Sequence, residues 1–419
     1  MQGRRHDADV LILGYSLEAA LAAALVARRG GKVLWLGGAP DSAAIVGKRR
    51  VPAAPGLIPA LAHAPTLTKA LRETGLLAEL QRVQRPISLQ YLGERLRVTL
   101  AEDWLRAPEG EQALQTLQES AGVADELSAL PLGLGFFARR RFARRRALLA
   151  ARLTTPQGIV GEAAGHIDRI LGRSSASFGS TLQTVAAPTD LPGGTLSLGQ
   201  LLQKRCLEHG GRLFADGLQY PFKELTIGFN GISGRLATGE LISAKVGLVS
   251  LDESSIATAF PDGSPLRKRF QPQASRPLLR LSLVVRARGI PLALGTFALI
   301  RCVQPLWLER RRIDDEQECL SIFWRSDDSD PGAQTKSALR ELERVVPFYE
   351  RHVIDTSTAA QVPDHSFAES PASVALSWRT MRARGPLLGA CGAEGAALVA
   401  TALADRVLKM SGRKSPPHR

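Results

Sequence analysis

A short apolar run ending in glycine, an alanine-rich helical stretch and a second apolar run open this chain and restrict what it can become. Asp9-Val10-Leu11-Ile12-Leu13 leads into Gly14, which is how a strand buried on both faces reads. Ser16 to Arg29, SLEAALAAALVARR, has strong helix propensity and no breaker. Gly30-Gly31 stops it, and Lys32-Val33-Leu34-Trp35-Leu36 forms the second run. Strands joined through one helix over so short a span lie parallel with a right-handed crossover. The expected class is α/β, a Rossmann-like domain with a parallel sheet.

Two later stretches have the same character. Gly193-Gly194 precedes a helix over Leu198–His209, closed by Gly210-Gly211. Short strands follow at Arg212–Ala215, Phe222–Phe229, Gly234–Leu236 and Ala244–Val249, with Asn230-Gly231 as a hairpin signal. Near the end, Pro386-Leu387-Leu388 reads as a strand, Gly389–Gly395 as a glycine-rich turn and Ala396–Lys409 as a helix. Between them, residues 60–190 read as mostly helical. Strand-like alternation marks Leu278–Val285, Leu294–Ile300 and Leu320–Trp324, ahead of a helix near Lys336–Arg351. At about 150 residues per domain, 419 residues make two or three lobes. The expected division is a discontinuous dinucleotide-binding domain (1–60, 190–270 and 385–410) interleaved with a mixed α+β substrate or partner domain (61–189 and 271–384). Residues 411–419 are expected to form a flexible tail.

With 44% hydrophobic and 22% charged residues, composition argues for a globular chain over a disordered one. The longest apolar stretches, such as Ala19–Ala27, fall well short of the ~20 residues that span a bilayer. Val10–Leu13 is too short for a signal-peptide core, so a cytoplasmic setting is expected. Cys206, Cys302, Cys319 and Cys391 lie far apart, as buried thiols do rather than a disulfide framework or zinc site. The histidines fall in no H-E-x-x-H pattern, and no metal site is expected.

Fifty-four basic against forty acidic residues leave a net charge of +14, a bias toward anionic partners. Much of it lies between Leu134 and Arg173. Within that stretch, Arg139-Arg140-Arg141 and Arg144-Arg145-Arg146 flank Phe142-Ala143. Each such arginine adds about 1 kcal/mol of attraction to an acidic leaflet, so Arg139–Arg146 is a candidate for peripheral contact with the inner face of a membrane. A helical turn of ~100° per residue scatters these arginines around the wheel, as on a solvated basic helix. No helix-turn-helix or aromatic sheet motif accompanies the charge, which disfavours nucleic acid. A second run, Arg310-Arg311-Arg312, is followed by Asp314-Asp315-Glu316 and reads as a self-neutralised, solvated turn.

The three glycine-punctuated blocks, in this order, resemble the flavin-dependent amine oxidase and phytoene desaturase superfamily, which includes protoporphyrinogen oxidase and the Rab GDP-dissociation inhibitor and escort proteins. The resemblance implies FAD. It places the diphosphate on the turn Gly14-Tyr15-Ser16-Leu17, the adenosine ribose by Gly37-Gly38, a backbone contact to adenine at Leu218, and the flavin near Gly389, Gly395 and Ala396. In a G-x-G-x-x-G turn the first glycine makes the bend, the second admits the diphosphate and the third lets helix and strand approach. Gly14 holds the first position, Ser16 the second and Ala19 the third. Gly37-Gly38 stands where the family carries an acid on the ribose, a contact worth about 1.5–3 kcal/mol. Gly389-Ala390 replaces the family's Gly-Asp. Ser16, Asp41 or Lys48-Arg49-Arg50 are candidate compensators.

The implied activity is hydride transfer from a hydrophobic substrate to the flavin, in a cavity roofed by the sheet at Leu278–Ile300, with no catalytic side chain identified. The alternative is a non-catalytic protein on the same scaffold that has lost the flavin and holds a partner protein or lipid chain, as the Rab-binding members do.

Overall fold

The computed structural model describes residues 5–58, 61, 64–83, 85–86, 89–93, 97–99, 158–171, 189–214, 222–228, 231–236, 238–250, 276–327, 330–362, 374–376 and 392–410. The chain begins with β1 (Arg5–Gly14), α1 (Leu17–Arg28) and β2 (Val33–Leu36). A hairpin of β3 (Ala43–Val46) and β4 (Arg49–Pro52) comes next, then β5 (Leu57–Ile58), α2 (Pro65–Glu73) and α3 (Leu77–Val83). Strands β6 (Arg85–Pro86), β7 (Leu89–Leu92) and β8 (Arg97–Thr99) precede α4 (Gly158–Leu171) and β9 (Thr189–Asp190). Helix α5 (Gly194–Glu208) leads to β10 (Arg212–Phe214), β11 (Phe222–Gly228), β12 (Gly231–Leu236) and β13 (Leu241–Ser250). Then come β14 (Leu278–Arg286), β15 (Phe297–Ile300), β16 (Leu306–Arg312), β17 (Gln317–Arg325) and α6 (Pro331–Val345). The last elements are β18 (Val353–Thr356), β19 (Ala360–Gln361), β20 (Val374–Leu376) and α7 (Gly392–Met410).

The first sheet runs β10-β2-β1-β13-β12-β11. Its β10, β2, β1 and β13 are parallel, and β12 and β11 continue antiparallel. Val10 to Leu13 are buried, as a central parallel strand covered on both faces must be. Helix α1 is buried from Leu17 through Ala27, because the sheet lies on one side and α5, α7 and α2 pack on the others. Ser16 starts the helix by accepting the Ala19 amide on its hydroxyl at 3.0 Å, and left-handed Gly30 follows its end.

The second sheet runs β18-β14-β17-β16-β15-β7-β8, antiparallel throughout its described pairs except where β7 lies parallel to β15. Alternation gives it two unlike faces. Leu281, Leu283, Ala298, Leu308, Leu320 and Ile322 face α6 and bury its Ala338 and Leu342. Leu278, Phe297, Leu299, Trp307 and Phe323 point the other way, into one continuous core with α1, α5 and Ala53-Ala54. This inner face joins the two halves of the molecule.

Several sequence expectations shift. Helix α6 begins at Pro331 rather than near Lys336, since Asp330 accepts the Ala333 amide at 2.8 Å and proline suits a first turn. Helix α7 opens at Gly392, so Gly395 and Ala396 lie inside its first turns rather than ahead of it. Strand β20, which the sequence division assigned to the second domain, pairs with β13 of the first sheet. The three-arginine run is no turn: it ends strand β16. The basic segment Arg139–Arg146 lies outside the described residues. No described helix is long and apolar enough to cross a membrane.

The close approach of α5 to the first loop gives a direct test. The Tyr15 ring lies against Gly199, where an added Cβ would run into it. Gly199→Ala is therefore expected to cost about 1–3 kcal/mol in chemical denaturation, as overpacking does. A double-mutant cycle with Tyr15→Ala should recover most of that loss.

Candidate functional site

The turn between β1 and α1 is built to present backbone. Gly14 has φ 82, a left-handed conformation that side-chain-bearing residues rarely take. Its carbonyl accepts the Trp35 indole N–H at 2.8 Å. The Tyr15 side chain turns away toward α5, where its hydroxyl donates to the Thr195 carbonyl at 2.7 Å, and burial raises its pKa. Gly14, Tyr15, Ser16 and Leu17 come together at the N-terminus of α1 as the motif requires, and all four are buried. Glu18, 1% exposed, places a carboxyl group in the same helical turn.

Gly37 and Gly38 end β2 at left-handed φ values of 95 and 66. Where the resemblance expects an acid, Gln203 of α5 arrives instead. Its Oε1 accepts the Ala39 amide at 2.5 Å and lies 2.7 Å from where a Cβ on Gly38 would be. Gln200 on the same helix accepts the Ser42 hydroxyl at 2.7 Å and donates to the Pro40 carbonyl at 3.0 Å. Two glutamines thus fix the loop after β2.

Of the candidate compensators, Ser16, Asp41 and Arg49 are committed elsewhere. Ser16 caps its own helix. Asp41 accepts the Ala43 amide and pairs with Arg50 at 3.5 Å. Arg49 reaches Gln317 and Asp355, both at 2.6 Å. Leu218 and Gly389 lie outside the described residues. Ala396, 3% exposed, packs into the core with α1.

On backbone geometry the turn fits a dinucleotide diphosphate, with a left-handed first glycine and a helix N-terminus whose dipole favours negative charge. Beside Gly38, where the resemblance expects an acid, lies the neutral Gln203 amide, its oxygen already bonded to Ala39.

A second constellation, absent from the sequence expectations, lies on the inner face of the second sheet. Glu309, fully buried, accepts the Gly56 amide at 2.5 Å and the Trp307 indole at 3.1 Å. Arg311 donates to Glu309 at 3.3 Å and to both oxygens of Asp190 at 2.5 Å, and its guanidinium stacks 4.7 Å from the centre of the Phe297 ring. Burial pushes the Glu309 carboxyl pKa up, and Arg311 pulls against it. The period of two carried the signal: in LWLERRR, residues 307, 309 and 311 share one face. Arg310 goes to the other face and pairs with Glu318, while exposed Arg312 pairs with Asp315. Among the described residues no cluster of His, Cys, Asp and Glu is arranged to hold a metal.

No protein-family model matches the chain, and no curated protein matches its sequence. Solved structures do match. Putrescine oxidase bound to putrescine shares 13% identity over 97% of this chain and 100% of that chain, with a TM-score of 0.53. A putrescine oxidase variant from a redesign of cofactor binding, also 13% identical, reaches 0.58 over 97% and 99% of the two chains. Cyclohexylamine oxidase from Brevibacterium oxydans IH-35A gives 0.56 at 13% identity, over 97% and 100%. At such identity the likeness establishes the fold alone, a mixed α/β architecture with a Rossmann-like parallel sheet, as the resemblance implied.

The buried ion cluster generates two expectations. Arg311→Met leaves Glu309 and Asp190 without their shared cation and should cost about 3–5 kcal/mol in urea unfolding. Glu309→Gln keeps an oxygen for Gly56 and Trp307 and should cost less. The raised Glu309 pKa means the folded state holds that proton more tightly than the unfolded one. Its stabilising effect is full below the ordinary carboxylate range and is lost as pH rises through the raised value. Glu309→Gln should therefore gain on the wild type with rising pH, read as Tm across pH 4–8.

Proposed function

We propose that this chain is a flavin-dependent oxidoreductase of the amine oxidase and phytoene desaturase type, with FAD laid across the Gly14 turn and an apolar substrate against the inner face of the second sheet. What supports the reading is Gly14 at φ 82 between a buried parallel strand and a buried helix, in an architecture shared with two amine oxidases over nearly the whole chain. The amides of Tyr15, Ser16 and Leu17 would hold the diphosphate, with Gly37, Gly38 and Gln203 at the ribose end. When bound, the flavin supplies the hydride acceptor. The chain's own part is orientation and exclusion of water, to which the dry core around Phe297, Trp307 and Phe323 contributes.

A second reading is a scaffold that has given up the flavin and holds a partner protein or lipid chain. What favours it is a serine at the second glycine position of the turn and a neutral Gln203 beside Gly38, where the resemblance expects an acid.

The two readings part on flavin content and uptake. The flavoprotein reading expects denatured protein to release FAD at close to one per chain, or the colourless protein to take up added FAD with quenching of its fluorescence. Ser16→Gly removes the Cβ and hydroxyl that crowd the second position. It should tighten FAD by about tenfold while costing only a few tenths of a kcal/mol as a helix cap. Wild type and variant that both ignore FAD would leave the scaffold reading standing.

A further inference from the structure

The inner face of the second sheet carries one cation that the ion cluster does not use. Arg280 of β14 is 7% exposed. Among the described residues its Nη1 donates to the Pro52 carbonyl at 3.3 Å, and its Nε is buried without a partner. No carboxylate among the described residues pairs with it. The nearby acids are taken: Asp355 by Arg49, Glu309 and Asp190 by Arg311. Burial pulls its pKa down.

A guanidinium taken out of water without a counter-charge is costly, and native chains keep such groups paired. The surroundings say what would complete this one. Register places Phe323 directly opposite Arg280, and Ser321 opposite Ser282 one step along the same face. The two serine hydroxyls bond each other at 2.9 Å, and Ser321 also meets the Cys319 sulfur at 3.5 Å, so both are partnered and neither compensates the cation. Leu278, Phe323 and Trp307, each 0–2% exposed, flank the position on the same face. A fork of N–H donors without a counter-charge, set among apolar side chains, matches a carboxylate on an apolar body.

We propose that Arg280 is the anchor for a carboxylate group, and that the ligand received on this face is an apolar organic acid rather than a neutral hydrocarbon. This deepens the functional reading, since it takes the inner face as the substrate wall. It does not depend on flavin being bound.

The test uses the full-length protein as purified, with flavin content measured alongside. Straight-chain carboxylates from butanoate to dodecanoate, benzoate, the matching alcohols and inorganic phosphate are titrated by calorimetry, and Tm is followed in parallel. At least one carboxylate should bind and raise Tm, while its alcohol and phosphate do so about tenfold more weakly or not at all. Arg280→Met should weaken that acid by about tenfold to a hundredfold, with a ligand-free Tm no lower than the wild type, because an unpaired buried charge has been removed. Arg280→Lys should retain part of the affinity. Three results would overturn the proposal: no carboxylate binding to the wild type, equal affinity in Arg280→Met, or phosphate binding as well as the acid. A failed flavin test with intact acid binding sinks only the oxidoreductase reading, and the reverse sinks only this one.

Discussion

Burial of α1 on every side is the constraint on which the rest of the structure depends. A surface helix shows one apolar stripe, whereas α1 is buried continuously from Leu17 to Ala27 between the first sheet and three helices. Only small side chains let that many neighbours approach, and six of those eleven residues are alanine. A helix held this way cannot shift. Its N-terminus, the Gly14 turn and the end of β1 are therefore fixed relative to α5, which Tyr15 reaches through the Thr195 carbonyl.

From that fixed point, contacts run to the second sheet without a break. Helix α5 begins at Gly194 against the Pro55 carbonyl, Gly56 donates to Glu309, and Arg311 ties β16 to Asp190 of β9. The junction is polar at its centre and apolar around it, with Phe297, Trp307 and Phe323 in the same core as α1. Buried ion clusters add little net stability, but losing one partner is expensive, so this one acts mainly to fix how the sheet seats. Arg280, on the same face without such a partner, stands out against that pattern.

Much of the fold was legible in the sequence because it rests on local signals. The first strand, helix and strand follow from an apolar run, an alanine run and their glycines, and β13, β14 and β17 follow from alternation. What escaped depended on partners distant in sequence. Nothing around Arg311 announces Asp190, and its neighbours Asp314 and Asp315 invited a local pairing that only Arg312 makes. No local signal marks Gln203, and its place beside Gly38 follows from packing of α5. The turn residues Gly14, Tyr15, Ser16 and Leu17 lie at the junction of β1 and α1, with Gly14 left-handed. Gly395 and Ala396 fell inside a helix that starts earlier than alanine content alone indicated.

Under the proposed function, the amides following Gly14 receive the diphosphate of a dinucleotide although a serine occupies the second position and a neutral glutamine lies beside Gly38. A crystal structure of the protein grown with FAD tests it most directly. The account predicts phosphate oxygens within hydrogen-bond distance of the Ser16 and Leu17 amides, with the Gln203 amide near the ribose. A crevice filled by the chain's own side chains, or a dinucleotide bound away from α1, would contradict it.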